Sequence, residues 1–449
     1  MKLPAPPPDF DDLMSQVVSS DRILAVLTAN REQSVAGEEY LPWDKLRFKA
    51  PPGDLSHEEW WLATKLGRQS IKRMMPHLVA VDGRPFTYAL PDEVLRAADE
   101  ISRSASGHIA ISEQVTSPAT RDRYLVNSLV EEAITSSQLE GASTSRRVAK
   151  AMIRSGRPPR DRSERMILNN YAAMRRITEL TGEPLSPALI CEIHRIVTDG
   201  TLTNPDSAGR VQDDDSDRVA VWSEEGQLLH RPPPVEQLPD RMARLCEFAN
   251  GDSGSEQGYL PPVLRSIAVH FMMGHDHYFE DGNGRTARAL FYWSMLRGGY
   301  WLTEFLAISR ILRQAPAQYV RSYVLTEQDD GDLTYFFIYH LNVVTRAIRE
   351  LHGYLAKKAA EMRQLQGVIK SMPGVFNHRQ LALLEHAARN PDAVYSVASH
   401  ANSHAVSGET ARHDLANLVG KGLLLRGKLG RQFIWSPVPD LSQRLSGIS

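Results

Sequence analysis

HDHYFEDGNGRTARALFYW, His275–Trp293, sets the problem: a helix-forming run opens on Gly-Asn-Gly, carries two arginines and follows a cluster of histidines and acids. Glycines at 282 and 284 let the chain turn tightly and approach a ligand with bare N–H groups. A helix beginning near Gly284 turns its unpaired donors and its positive dipole end toward that loop, which suits an anion. Asn283 adds an amide donor. Arg285 and Arg288, three apart, fall on one helix face and are placed to grip successive phosphates. Asp281 adjoins them, and a carboxylate beside phosphates is the usual way Mg²⁺ is held. His277 is the nearby group that accepts a proton close to neutral pH. Each feature alone has a bland explanation: a turn, a structural histidine, arginines solvating a helix. Packed within a dozen residues, they read together as a site for a polyphosphate and a metal.

Composition limits the setting. With 449 residues the chain is too long for one compact core, so two or three domains are expected. Hydrophobic content of 42% with 24% charged residues is that of an ordinary globular protein, and the formal net charge of −2 argues against a nucleic-acid-coating protein. Cys191 and Cys246 both sit in apolar helical patterns without metal-ligand spacing, which predicts buried small hydrophobes and no disulfide framework. The opening MKLPAPPPDFDDLM lacks the apolar core of a signal peptide, and no run is long enough to span a bilayer. No membrane association and a cytoplasmic location are expected.

Three divisions are expected. Residues 1–115 mix Pro-rich and short amphipathic segments, with a hairpin turning at Asp82-Gly83 and a helix after Pro91; no chemistry is assigned to them. Residues 116–365 are strongly helical. In RDRYLVNSLVEEAITSSQLEG, Leu125, Leu129, Val130 and Ile134 share a face and Gly141 ends the helix. RVAVWSEEGQLLHRPPP, turning at Glu225-Gly226, reads as a lone hairpin. A long helix runs from Leu333 to about Gln366, and a linker is expected around Pro373-Gly374. Residues 372–449 have the order of a winged helix: three helices, then strands around a basic turn. Ser407 is placed to cap the third helix, whose buried stripe is Ala411, Leu415 and Leu418.

HYFEDGNGRTAR resembles the signature of Fic-domain proteins: His-Pro-Phe, two variable positions, Gly-Asn-Gly-Arg, two more, and Arg. His277, Phe279, Gly282, Asn283, Gly284, Arg285 and Arg288 match, and Asp281 falls where the family usually has a metal-binding acid. Ala268 and His270 sit where relatives often place Ala and His. The hairpin at about 218–234 resembles the flap on which a target protein docks as an added strand. SSQLEG is similar to the family's inhibitory helix motif, carried here by Ser136, Glu140 and Gly141. Two departures stand out: Tyr278 replaces the usual Pro, and Asp276 an apolar residue. Losing the proline predicts a looser hold on His277, with Phe279 retained as an anchor.

The resemblance implies a mainly α fold, a helical Fic core with a small β-hairpin flap, followed by a C-terminal winged-helix (α+β) domain. It implies transfer of AMP from ATP, with Mg²⁺, to a hydroxyl of a target protein or of the chain itself. His277 would be the base, Gly282, Asn283, Gly284, Arg285 and Arg288 the nucleotide-binding groups and Asp281 the metal ligand. Glu140, reaching Arg288, would take the place of the γ-phosphate. Two rivals remain open. One is a metal-dependent phosphohydrolase using His270, His275 and His277. The other is a DNA-binding regulator with an inert core, reading DNA through Arg412, His413 and Asn417 of the third helix and Arg426, Lys428 and Arg431 of the wing. A homodimer is likewise left open by the sequence.

Overall fold

The computed structural model describes residues 3–32, 39–106, 118–218, 220–222, 226, 228–251, 259–370, 375–390, 393–429 and 432–446. Helix α1 (Phe10–Ser19) starts where the Asp9 carboxylate accepts the N–H groups of Asp11 and Asp12. It packs with α2 (Ile23–Glu32), the short α3 (Trp43–Leu46) and α4 (His57–Gln69) around Leu13, Val17, Val26, Trp43, Trp61 and Leu62. A capping box between Ser56 and Glu59 opens α4. The expected hairpin follows as β1 (Arg73–Val79) and β2 (Pro85–Tyr88), antiparallel with Met75 opposite Phe86. Gly83 takes the left-handed conformation and Asp82 accepts the Arg84 N–H at 3.0 Å. Pro91 then leads into α5 (Asp92–Ala105).

The middle of the chain is a helical assembly: α6 (Pro118–Leu139), α7 (Arg146–Ser155), α8 (Arg162–Glu179), α9 (Pro187–Thr198), α10 (Leu238–Asn250), α11 (Pro262–Asp276), α12 (Asn283–Arg297), α13 (Ile308–Gln314), α14 (Pro316–Gln328) and α15 (Thr334–Lys370). Helices α11 and α12 form its centre and are buried on every side, so neither shows a polar stripe. Around them α8 and α9 pack on α12, and α6 packs on α8. Leu129, Val130 and Ile134 of α6 are buried as their spacing predicts; the Leu125 side chain lies outside the described residues. The lone hairpin is β3 (Val221–Trp222) with β4 (Leu228–His230), Val221 opposite His230 and Gly226 at positive φ; Glu225 lies outside the described residues. No helix among the described residues is long and apolar enough to cross a membrane.

Packing redraws the divisions. Met1–Ile111 and Val115–Leu351 form one compact unit, and His352–Ser449 makes up most of a second, so no boundary near 115 separates an N-terminal domain. A buried polar network explains the union. Lys65 pairs with Asp329, Lys72 with Asp332 at 3.0 Å, and the Tyr40 hydroxyl donates to Asp332 at 2.6 Å. Arg68 donates to the Tyr335 hydroxyl at 2.9 Å. Composition could not reveal these pairs, whose members lie some 260 residues or more apart.

In the second unit α16 (His378–Arg389), α17 (Val397–His404) and α18 (Gly408–Gly420) precede β5 (Leu424–Leu429), β6 (Gln432–Pro437) and α19 (Leu441–Ser446). Side chains of Asn377, Ser396 and Ser407 cap the three helices, and Leu384, Leu415, Leu418 and Trp435 form the core. Tyr395 bridges to Trp435 as a third short strand. Buried Asp414 ties α16 to α18 through Arg379 and Asn377. Arg412, His413 and Asn417 are exposed, Asn417 also accepting from Gln380, and Arg426 and Lys428 of β5 are exposed as well; Arg431 and Pro373-Gly374 lie outside the described residues. Helix α15 continues to Lys370, past the Gln366 end expected for it.

Asp332→Ala strips a buried carboxylate from Lys72 and Tyr40. Urea unfolding of this variant should show a loss of about 3–5 kcal/mol, the first unit still unfolding in one transition.

Candidate active site

The loop between α11 and α12 is folded by its own side chains. Asn283 Oδ1 accepts the Phe279 N–H at 2.9 Å while its Nδ2 donates to the Phe279 carbonyl at 2.6 Å. The side chain expected to donate to a phosphate is therefore committed to closing the loop. Phe279 stacks on His194 of α9 with centroids 3.7 Å apart. His194 Nδ1 accepts the Gly209 N–H at 2.8 Å, which fixes the hydrogen on Nε2, and Nε2 donates to the Asp281 carbonyl at 2.8 Å. Burial lowers the His194 pKa to about 4, so the ring is neutral at pH 7. Gly282 caps α12 at φ +87°, and a Cβ there would meet Thr198 Cγ2 at 2.6 Å.

His277 follows α11 in the left-handed region, φ +50° and ψ +55°, a conformation costing about 1–3 kcal/mol in a residue with a side chain. Arg218 supplies the restraint that the missing proline would have given. Its Nη1 donates to the His277 carbonyl at 2.5 Å and its Nη2 to the Asp276 carbonyl at 2.6 Å, while Nε holds the Pro233 carbonyl at 2.9 Å. The residue leading into the hairpin thus clamps the loop between α11 and α12. His277 Nδ1 faces the Gly274 carbonyl at 3.3 Å, so Nδ1 carries the hydrogen and Nε2 the lone pair. Burial holds its pKa at about 4.

The two departures from the family pattern complete each other. The Tyr278 hydroxyl donates to Asp276 Oδ2 at 2.7 Å, and both residues are fully buried. Asp276 Oδ1 accepts from Arg241 Nε at 2.9 Å and Nη2 at 2.8 Å and faces His275 Nδ1 at 3.0 Å. The carboxylate stays ionised: burial would raise its pKa, but His275 and Arg241 together hold it below the usual value. The looseness expected from losing the proline is replaced by this network. Arg241 is on α10 and Arg218 precedes β3, so the loop's own sequence could not disclose them.

At the start of α12, Glu140 occupies the expected anion seat. Its Oε1 accepts from Arg288 Nη2 at 2.7 Å, and a Cβ on Gly284 would lie 2.2 Å from that same oxygen. Arg288 is fully buried and also donates through Nε to Ser136 Oγ at 2.8 Å and through Nη2 to the Ser136 carbonyl at 3.0 Å. Gly141, at φ +87°, ends α6 just beyond Glu140. Arg285 behaves differently from the expectation that both arginines grip phosphates side by side. It is wholly buried and its Nη1 donates to the Val197 carbonyl at the end of α9 at 2.6 Å. Its Nη2 lies 3.8 Å from Asp281 Oδ1, and neither Nε nor Nη2 has a hydrogen-bond partner. Asp281 is partly exposed, with Oδ1 accepting the Gly282 N–H at 2.5 Å and Oδ2 3.2 Å from Arg162.

The histidine triad of the phosphohydrolase rival is not assembled. His270 is buried in an aromatic cluster with Nε2 on the Tyr319 hydroxyl at 2.8 Å, and the metal-type grouping among the described residues contains neither His270 nor His277.

Residues 184–295 match the Fic/DOC family. They form a Fic domain. The chain is 37% identical over 71 residues to the protein adenylyltransferase Fic of Drosophila virilis and 38% identical over 72 residues to that of Culex quinquefasciatus. Each match covers 16% of this chain and spans only 14% of the relative's length. The fold is similar to that of a Fic family protein from Desulfovibrio desulfuricans G20, with a TM-score of 0.51 at 17% identity over 78% of this chain and 98% of the other. A form of Fic-1 from C. elegans gives a TM-score of 0.50 at 18% identity over 78% and 87%. At such identity these likenesses speak to the fold, which is the mainly α Fic core with small hairpins.

Two predictions follow from this geometry. Arg241→Met leaves Asp276 buried without its cation and should cost about 3–5 kcal/mol, against about 1–3 kcal/mol for Tyr278→Phe, both read by urea unfolding. His194 and His277 ionise at about 4 when folded but at the ordinary 6.5 when unfolded. The unfolded chain therefore binds more protons between those values, and stability should be full above pH 6.5 and fall as pH drops toward 4. Replacing His194 by Gln should flatten that slope.

Proposed function

We propose that this chain transfers AMP from ATP to a Ser, Thr or Tyr hydroxyl of a target protein or of itself, and that Glu140 restrains the reaction. The observation carrying this reading is a carboxylate, Glu140, bonded at 2.7 Å to a buried arginine over the first turn of α12, where the N–H groups and Arg288 suit a phosphate. His277 has the right form for a base: neutral, with Nδ1 tied to a carbonyl and Nε2 free to take the hydroxyl proton as the oxygen attacks the α-phosphate and pyrophosphate leaves. Arg288 and the α12 N–H groups would hold the terminal phosphates. The unpartnered buried nitrogens of Arg285 keep positive charge beneath the site, beside Asp281. Asp281 fits Mg²⁺, because its carboxylate is partly exposed and adjoins the phosphate donors. The ion would supply charge neutralisation on the phosphates.

The target would dock on the flap. Trp222 is 58% exposed and Leu228 41%, a pair of apolar side chains facing each other across the hairpin where an incoming strand could pack. DNA contact by the second unit keeps as support the exposed Arg412, His413 and Asn417 on α18 and the exposed Arg426 and Lys428 on β5.

With labelled ATP and Mg²⁺, Glu140→Gly should raise self-labelling. A charge-assisted hydrogen bond of about 1.5–3 kcal/mol corresponds to roughly a 10- to 100-fold gain. The double variant Glu140→Gly, His277→Ala should show none, and Glu140→Gly, Asp281→Ala should lose activity that added Mg²⁺ cannot restore. Equal labelling by Glu140→Gly and wild type would refute the restraint. Undiminished labelling by the His277 double variant would remove His277 from the chemistry.

A further inference from the structure

Apart from the anion seat, three side chains from three elements converge beneath the flap: His230 at the end of β4, His275 in the last turn of α11 and Glu327 in the last turn of α14. One nitrogen of each imidazole and one carboxylate oxygen all lie within 4.8 Å of one another, and both histidines are buried. The two rings are tilted, with centroids 4.7 Å apart.

Each imidazole already has one nitrogen committed, and the commitment fixes where its lone pair is. His275 Nδ1 lies 3.0 Å from Asp276 Oδ1, a carboxylate kept ionised by Arg241, so Nδ1 carries the hydrogen and Nε2 the lone pair. His230 Nε2 lies 2.6 Å from the His275 carbonyl, which can only accept. Its hydrogen is therefore on Nε2, and Nδ1 faces Glu327 Oε2 at 2.9 Å. A carboxylate or backbone carbonyl on the far nitrogen is how proteins orient imidazoles that bind metals and make them more basic.

We propose that His230, His275 and Glu327 form a binding site for Zn²⁺ or a similar divalent transition ion, with His230 Nδ1, His275 Nε2 and a Glu327 carboxylate oxygen as ligands and water as the fourth. Two neutral imidazoles and a carboxylate suit such an ion rather than Mg²⁺. Ligands about 2.0–2.1 Å from a tetrahedral centre lie roughly 3.3 Å apart. With His230 and Glu327 already 2.9 Å apart and no separation in the group above 4.8 Å, closing the site takes shifts of about an ångström. The ion would staple the flap strand to the end of α11, two residues before His277, and to α14. It is separate from the Mg²⁺ site at Asp281, and the inference stands whether or not the chain transfers AMP.

The test uses the full chain, free of any affinity tag, stripped with a chelator and titrated with Co²⁺, then Zn²⁺. Wild type should take up one Co²⁺ per chain, show the visible d–d absorption of a low-coordinate site with nitrogen ligands, and lose that band to one equivalent of Zn²⁺. His230→Gln and Glu327→Gln, each checked for an intact fold by circular dichroism, should bind Co²⁺ at least tenfold more weakly. His277→Ala should retain the band. Uptake well below one equivalent by wild type would overturn the proposal and leave an ordinary His–Glu ion pair. Binding by His230→Gln as tight as wild type, or loss of the band in His277→Ala, would overturn the ligand assignment.

Discussion

A guanidinium with almost no exposure to solvent needs an anion, and the fold gives Arg288 the carboxylate of Glu140 from a helix some 150 residues earlier in the chain. Leaving such a charge unpaired would cost several kcal/mol, so some anion must occupy this position in every state of the site. Two candidates suit the same geometry, a carboxylate or a terminal phosphate. Glu140 lies above the N–H groups of α12 as well as beside Arg288, so the two occupants exclude each other. On the proposed reading, the strength of the pair would set how readily the site opens to nucleotide, and α6 would regulate the core as well as form part of its structure. Its grip on the core is independent of Glu140. Glu132 binds Ser309, and Val130, Ala133 and Ile134 pack against α7 and α8.

The other constraint is the conformation of His277. A left-handed histidine must be held by its surroundings, and two sets of contacts hold it. Arg218 grips the carbonyls of residues 276 and 277 from the flap, and the Asp276–Tyr278–Arg241 network fixes the side chains around it. Because the start of the hairpin and the motif share Arg218, and β4 shares His230 with the carbonyl of residue 275, whatever moves the hairpin also reaches His277. On the proposed reading, docking of a target on the hairpin and presentation of His277 would be mechanically connected.

Much of this was legible in the sequence where the cause is local. The Asp82-Gly83 turn, the helix end at Gly141, the Ser407 cap and the buried stripe of α18 each depend on a few adjacent residues. The conjunction of glycines, acids and arginines at 277–288 marked the candidate site for the same reason. What the sequence concealed is tertiary. Spacing puts Arg285 and Arg288 on one helix face, but α9 lies close enough to take Arg285 for its own terminal carbonyl. Asn283 looked like a donor for a ligand because its acceptor, the Phe279 backbone, exists only once the loop is folded. His194 sits in an apolar helix and reads as an ordinary core residue until Phe279 is seen stacked on it. The N-terminal region looked separate because its binding partners, Asp329, Asp332 and Tyr335, lie far along the chain.

The competition for Arg288 is most directly measured by comparing ADP with ATP in calorimetric titrations. If Glu140 fills the seat of the last phosphate, wild type should bind the two nucleotides with nearly equal Kd, because the third phosphate finds its place taken. Glu140→Gly should then bind ATP roughly tenfold or more tightly than wild type, a change of about 1.4 kcal/mol, with little change for ADP. Equal strengthening for both nucleotides, or none for ATP, would contradict the account.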